Sequence, residues 1–191
     1  MRIRILCTVL CVALAALSPG EAARADALDL SLNDDAVRAN YQWAHPTRDF
    51  QVDGGWLHHQ DRGDVVHIGF HVTGDASSGD TPLDGGIGGK IFHVSPDNGP
   101  LDATVLAVGG FFRYTFPRYN RFNLYGHAYI APDVLSFGDG EQFQEIELRA
   151  GYSVLRNADV FIGARYTNTE FDPAGDLTSD NGLHLGIQLK F

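Results

Sequence analysis

Apolar and polar residues alternate along most of this chain. The clearest example is the final segment, residues 182–191, which carries on one face Leu183, Leu185, Ile187, Leu189 and Phe191. Its other face carries His184, Gly186, Gln188 and Lys190. Because successive side chains of a β-strand point to opposite sides, this period of two predicts a strand with one apolar and one polar face.

Ten segments share this pattern. They cover residues 28–32, 36–43, 50–60, 64–73, 85–95, 104–116, 121–131, 141–153, 159–168 and 182–191. Most bracket the roughly 9–11 residues that a tilted strand needs to cross a bilayer. Good helix formers fill the first half of segment 141–153, so a short helix is the alternative there.

The segments predict an all-β fold, a single antiparallel transmembrane β-barrel over residues 28–191. Bacterial barrels have an even number of strands when both termini are periplasmic. We predict eight to ten strands and prefer ten, with eight if the short first hairpin lies outside the barrel. Residues 96–103, 132–140 and 169–181, which contain many Asp, Gly, Pro and Asn residues, are predicted to be loops on the cell exterior.

The first 27 residues differ from the rest of the chain. Two cations, Arg2 and Arg4, precede an apolar run over residues 5–17, and two overlapping A-x-A sites follow. This run is shorter than the roughly 20 residues of a membrane-spanning helix, which disfavours an N-terminal anchor. Residues 1–27 are therefore predicted to be a secretory signal peptide, cleaved after Ala25 or Ala27. Both cysteines of the chain would leave with it.

Alternation alone does not tell which face points into the barrel. A soluble ligand-binding barrel alternates too, with its apolar residues inside. Here the polar faces carry charges of both signs, which can satisfy one another in a narrow interior, and aromatic residues lie near strand ends, as at a lipid–water interface. We therefore place the apolar faces against lipid and predict a polar network in the lumen that contains Arg113, Glu145, Glu147, Arg149, Arg165 and Lys190.

The last residues also suggest how the protein reaches its membrane. Leu185, Ile187, Leu189 and the terminal Phe191 resemble the C-terminal signal that the barrel-assembly machinery recognises. We expect a monomer in the cell outer membrane with periplasmic termini. Its expected partners are outer-membrane lipid and lipopolysaccharide, and the assembly machinery during biogenesis.

Two stretches resemble the YfaZ family of outer-membrane proteins. They are residues 129–137, YIAPDVLSF, and residues 28–38, LDLSLNDDAVR. The strand spacing and the terminal phenylalanine fit as well, so the resemblance covers the mature chain. It implies an outer-membrane location and a small barrel, but no activity and no catalytic residues.

Charge and histidine content add little chemistry. The net charge is −10 and there is no basic stripe, which argues against nucleic-acid binding. His67 and His71 share a strand face but lie roughly 13 Å apart along it, too far for one zinc ion. His45, His93, His127 and His184 are isolated, and we expect no metal and no cofactor.

One pair of residues keeps an enzymatic hypothesis open. His93 and Ser95 share a strand face, a spacing similar to that in outer-membrane lipid A deacylases, but Pro96 follows at once and no third member is evident. We therefore expect no enzymatic activity. The predicted function is a structural, surface-interaction or minor small-solute channel role in the outer membrane. The alternatives are a lipid-modifying outer-membrane enzyme and a soluble periplasmic barrel that binds an apolar ligand.

Overall fold

Strands make up nearly all of the regular structure in the computed structural model, which describes residues 26–77, 82–97, 102–171 and 175–191. All but the last two residues of the predicted signal peptide lie outside these ranges. The strands are β1 (Ala27–Leu32), β2 (Ala36–Ala44), β3 (Phe50–His59), β4 (Gly63–Asp75), β5 (Leu83–Ser95), β6 (Ala103–Thr115), β7 (Phe122–Ala131), β8 (Ser136–Gly138), β9 (Gly140–Leu155), β10 (Ala158–Phe171) and β11 (Gly175–Lys190). A 3-10 turn spans Asp133–Leu135. Among the described residues, no helix is long and apolar enough to cross a membrane.

Ten of these strands close into one antiparallel barrel. Their order around the sheet is β5-β4-β3-β2-β1-β11-β10-β9-β7-β6, and β5 pairs with β6 to complete the ring. Each of the ten predicted segments forms one of these strands, so the preferred strand number is confirmed. The three-residue β8 adds to the end of β6 beyond its pairing with β7. Closure leaves no long free edge, which a lipid environment requires.

The two ends of the barrel differ. We call the end that carries Ala27 and Lys190, the cross-strand partners nearest the chain termini, the terminal rim. The opposite end, which carries the turn between β3 and β4 and the 3-10 turn, is the distal rim. The tight β3–β4 turn depends on Gly63, whose φ of +99° is a conformation that side chains disfavour.

The connection between β10 and β11 is shorter than predicted. Most of residues 169–181, expected to be a loop, continue the two strands, which pair from Ala158–Leu189 to Phe171–Gly175 with one register shift at Thr167. The alternation of apolar and polar residues is lost there, so the sequence did not reveal this extension of the two strands. The predicted loop 132–140 likewise contains β8 and the 3-10 turn.

The apolar faces point outward, as predicted. Leu185 is 63% exposed on the outer surface, while Glu145 on the polar face of β9 is 2% exposed inside the barrel. Other exposed outward residues include Ile68, Phe70, Ile87, Ile146 and Ile162. This arrangement is the inverse of a soluble barrel that binds an apolar ligand, and it is typical of a barrel surrounded by lipid.

Candidate functional site

The centre of the barrel holds a buried group of charged side chains, which we call the glutamate cluster. Its members are Arg38 from β2, Glu145, Glu147 and Arg149 from β9, and Arg165 from β10. Arg38 Nη1 lies 2.8 Å from Glu145 Oε1 and 3.3 Å from Glu147 Oε2. Both glutamates point inward because they occupy alternate positions of one strand.

Glu147 is the most highly connected member of the glutamate cluster. Besides Arg38, its carboxylate lies 3.7 Å from Arg149 Nη1, 3.7 Å from Arg165 Nη1 and 3.5 Å from His184 Nε2. Its side chain is 4% exposed, so water screens these contacts little. One carboxylate therefore links strands β2, β9, β10 and β11.

The arginines of this cluster have further partners. Arg149 donates to Asp29 on β1 at 3.1 Å, and its guanidinium lies 4.1 Å from the ring centroid of Tyr125 and 4.5 Å from that of Phe161. Arg165 donates through Nε to Asp180 at 2.6 Å. Ion pairing holds both cations in place, and Arg149 has cation–π contacts in addition.

A second buried group lies on the other side of the barrel, and we call it the Asp53 cluster. Asp53 on β3 accepts from Lys90 Nζ at 2.9 Å. His67 Nε2 and His71 Nδ1, both on β4, each lie 3.1 Å from one of its oxygens. His67 and His71 therefore meet at a shared carboxylate, although their positions along β4 are far apart.

Two glycines leave the space that these clusters occupy. A Cβ at Gly69 would lie 2.6 Å from Asp53 Oδ1, and a Cβ at Gly163 would lie 2.7 Å from His184 Nε2. A larger residue would collide with Asp53 at the first position and with His184 at the second. Glycine weakens most strands, but at these two inward positions it leaves room for neighbouring side chains.

An apolar layer closes the interior between the clusters and the distal rim. It consists of Ala36, Leu57, Val65, Phe92, Val94, Ala103, Val105, Ala107, Tyr129, Ala131, Phe143 and Phe171. The rings of Phe92 and Phe143 have their centroids 4.3 Å apart. Tyr129 joins this layer to the Asp53 cluster, because its hydroxyl lies 2.8 Å from His71 Nε2.

The terminal rim is open by comparison. A cavity of about 410 Å³ lies there, bordered by Gln42, Asp84, Arg113, Tyr125 and Lys190 among others. Further into the barrel, within the glutamate cluster, the free space shrinks to about 20 Å³. That volume holds about one water molecule.

All six residues of the predicted lumen network point inward, but only four of them contact one another as a group. Glu145, Glu147, Arg149 and Arg165 meet in the glutamate cluster. Lys190 lies apart at the terminal rim, 2.7 Å from Asp159. Arg113 lines the terminal cavity, 5.7 Å from the Tyr125 ring centroid, and none of the ion pairs between described residues includes it.

Sequence analysis missed half of the interior charges. Asp29, Arg38, Asp53, Lys90, Asp159 and Asp180 are all buried and paired. Each occupies an inward position of its strand. For all of them except Asp180, which lies in the predicted loop 169–181, the signal was present in the alternation of β1, β2, β3, β5 and β10. The alternation does not show which charged residues pair with one another.

Three potential metal ligands lie together in the lumen. Nitrogen and carboxylate atoms of His127, Glu145 and Glu147 are all within 4.8 Å of one another. The sequence had placed His127 among the isolated histidines, whereas its Nε2 lies 2.9 Å from Glu145. The Arg38 guanidinium lies within 3.3 Å of both carboxylates, so a metal ion there would face a fixed positive charge, and we assign none.

The His93–Ser95 pair lies on the outer surface and has neighbours that the sequence did not reveal. Ser95 Oγ lies 3.2 Å from His93 Nε2 and 3.2 Å from Asp102 Oδ1. Thr104 on β6 contacts the other ring nitrogen of His93. The residues of the predicted assembly signal, Leu185, Ile187, Leu189 and Phe191, lie on the outer face of β11 and at its end.

Comparison with known proteins agrees with this architecture. A family model described as "YfaZ precursor" matches residues 1–191. The "Outer membrane protein YfaZ" of Escherichia coli (strain K12) is 30% identical over 146 residues, which cover 76% of this chain and 77% of that protein. The word precursor agrees with the predicted export signal, which stays a prediction.

One solved structure resembles the barrel only distantly. It is described as "Unveiling the Mechanism Behind the in-meso Crystallization of Membrane Proteins". The superposition has a TM-score of 0.41 and 11% sequence identity, and it covers 88% of this chain and 83% of that chain. A likeness at this level carries no argument about function.

Proposed function

The chain belongs to the YfaZ family and is a small β-barrel protein of the outer membrane, and on that premise we propose that its barrel is closed to solutes and acts through its structure and its surfaces. The observation that carries the proposal is the filled interior. The glutamate cluster leaves about 20 Å³ of free space at the centre, and the apolar layer lies between it and the distal rim.

The charges of the interior support closure rather than conduction. A channel lining offers charges to passing solutes, whereas here Arg38, Glu147 and Arg149 are each committed to partners within 3.7 Å. Releasing any of them into a water-filled path would break several buried contacts at once. The terminal cavity of about 410 Å³ is then a blind vestibule.

Planar-bilayer recording tests this proposal against the minor-channel alternative. We expect no current steps above baseline from the refolded chain, under conditions in which a general porin conducts. The protein is delivered to the bilayer from lipid vesicles, and its folding in those vesicles is checked by heat-modifiable gel migration. Discrete steps that disappear after heat denaturation would show that solutes pass, and the closed-barrel proposal would fail.

We also propose that both termini are periplasmic and that the distal rim faces the cell exterior. The mature chain has no cysteine if the signal is cleaved as predicted, so single cysteines report orientation. Asp34→Cys in the distal turn between β1 and β2 is expected to react with a membrane-impermeant maleimide on intact cells. Arg156→Cys in the terminal turn between β9 and β10 is expected to react only after lysis. The reverse pattern would invert the orientation.

The proposed partners at the surface are lipopolysaccharide and, during biogenesis, the barrel-assembly machinery. Phe191 follows β11 and is 53% exposed, so an assembly factor can reach its ring. Phe191→Ala is expected to lower the folded fraction in cells but not the yield of refolding in detergent. An equal loss in both would point to a structural role for the ring instead.

A further inference from the structure

The outer surface of β5 and β6 changes from apolar to polar near the distal ends of these strands. Ile91 and Leu106 are exposed on the outer surface, and the next outward positions toward the distal rim are His93 and Thr104, which are directly paired across the two strands. The next outward residue of β5 is Ser95. With about 3.4 Å of rise per residue, His93 lies roughly 7 Å beyond Ile91. On β5 and β6 this polar group therefore lies at the distal edge of the apolar outer surface.

The side chains there form a connected chain of hydrogen bonds. Thr104 Oγ1 lies 3.1 Å from His93 Nδ1, and His93 Nε2 lies 3.2 Å from Ser95 Oγ. When Thr104 accepts the proton on Nδ1, Nε2 carries the lone pair and faces the serine hydroxyl. A hydroxyl, a base within hydrogen-bond reach and a third group that orients the base are the components of an activated nucleophile.

Asp102 holds the serine from the other side. Its Oδ1 lies 3.2 Å from Ser95 Oγ, so the hydroxyl proton has two acceptors. Asp102 is itself fixed, because its backbone N–H donates to Asp139 Oδ2 at 3.1 Å and its carbonyl accepts from the Asp139 N–H at 3.0 Å. The serine therefore sits in a defined place beside the histidine although the surface around it is open.

We propose that Ser95 and His93 form a hydrolytic site for the acyl esters of membrane lipids, with Ser95 as nucleophile and His93 as general base. The position on the barrel selects the substrate class. Ester bonds of membrane lipids lie where acyl chains meet head groups, which is the level of a polar pair just above Ile91 and Leu106. Acyl chains of the substrate would lie against those two residues and Val66, the outward partner of His93 on β4.

The proposed reaction requires only Ser95, His93, the lipid ester and water. Ser95 Oγ bonds to the ester carbonyl carbon while its proton passes to His93 Nε2. The bond between the carbonyl carbon and the alcohol oxygen breaks, and His93 returns the proton to that oxygen, which releases the lipid hydroxyl. Water then attacks the acyl-serine with His93 again as base, which releases the fatty acid and restores the serine.

This proposal departs from the sequence-based expectation of no enzymatic activity. That expectation rested on the adjacent Pro96 and on the absence of an evident third member. The β5–β6 pairing places Thr104 beside His93, and Asp102, the residue before β6, contacts Ser95. The proposal goes beyond the closed-barrel function and is independent of it, because the site is on the outer surface and a conducting lumen would leave it unchanged.

The test uses the refolded mature chain in mixed micelles, with lipopolysaccharide in one arm and phosphatidylethanolamine in the other, and measures released fatty acid by mass spectrometry. We expect release in one arm, which identifies the lipid source. Ser95→Ala and His93→Gln are expected to reduce it by about 100-fold or more, since a positioned base contributes about 10²–10⁴-fold. Ser136→Ala, a matched serine near the same rim, is expected to have no effect.

A second measurement separates chemistry from folding. All variants are first checked for heat-modifiable migration, and a fluorophosphonate probe is expected to add its mass to Ser95 of the wild-type chain but not of His93→Gln. Absence of fatty acid in both arms, or release that persists in Ser95→Ala, would overturn the proposal. The cluster would then be an ordinary polar belt at the membrane surface.

Discussion

Two layers fill the interior of this barrel by different chemistry. In the apolar layer, Phe92 and Phe143 pack ring against ring with centroids 4.3 Å apart. In the glutamate cluster, by contrast, Glu147 lies within 3.7 Å of three arginines and one histidine. Packing in the apolar layer depends on the shapes of its side chains, whereas packing in the glutamate cluster depends on which charged groups pair with one another. The two layers should therefore respond differently to substitutions that preserve shape.

The physical reason lies in the cost of an unbalanced charge. Removing one member of a buried ion pair leaves the other without solvation or a partner, which typically costs about 3–5 kcal/mol. Changing an apolar side chain for another of similar volume usually costs less than about 1.5 kcal/mol, because neighbours can adjust. Conversely, an intact buried pair adds little net stability, so the cost arises from leaving its partner unpaired.

Glu147→Gln should have the largest effect. The amide keeps the shape of the glutamate but removes the negative charge that Arg38, Arg149 and Arg165 share. We expect the free energy of unfolding to fall by about 3–5 kcal/mol, measured by denaturant titration in lipid vesicles. Glu170→Gln, the same chemical change outside the cluster on β10, is the matched control and should cost less than about 0.5 kcal/mol.

A loss below about 1 kcal/mol for Glu147→Gln, with the control unchanged, would contradict the comparison. It would mean that water or a rearranged Asp29 replaces the lost charge, and that the glutamate cluster is more tolerant than its burial suggests.

Phe92→Leu should have a smaller effect in the apolar layer. Phe92 is 1% exposed and contacts Phe143 and Tyr129, so the change trims volume but leaves an apolar side chain. We expect a loss of about 1 kcal/mol in the same titration. Ile91→Leu on the lipid-facing side of the same strand is the control and should be close to neutral. A loss for Phe92→Leu as large as that of Glu147→Gln would show that both layers depend equally on precise complementarity.

The strands and their faces were predictable because alternation records which side of a strand meets lipid. The apolar layer was not. Near the distal rim the inward residues are apolar as well, as in the neighbouring pairs Val65–Val66 and Ile91–Phe92, so the two faces look alike in the sequence. Consecutive apolar residues at strand ends are the signal that could have revealed it.

The pairing of the charges was beyond the sequence for another reason. Arg38 and Glu147 are 109 residues apart, and Arg149 and Asp29 are 120 apart. Their contact depends on closure of the ring between β1 and β11 and on the register of every strand between them. Period two gives the face of each residue but not its height in the barrel, which is why Arg113 and Lys190 were grouped with the central residues.

Asp64→Asn should have the smallest effect, and it extends the comparison to the outer surface. Asp64 contacts His58 at 2.9 Å, but both side chains are more than 40% exposed, and Trp56 Nε1 still finds an acceptor in the amide oxygen. This is the same change from carboxylate to amide as Glu147→Gln, made where water solvates the charge. We expect a loss of no more than about 0.5 kcal/mol, shrinking further as salt is raised, in unfolding titrations at low and high ionic strength. A loss above about 2 kcal/mol that does not respond to salt would mean that water does not screen the charge of Asp64 on the outer surface. Burial would then no longer explain why the glutamate cluster is sensitive to the loss of a charge.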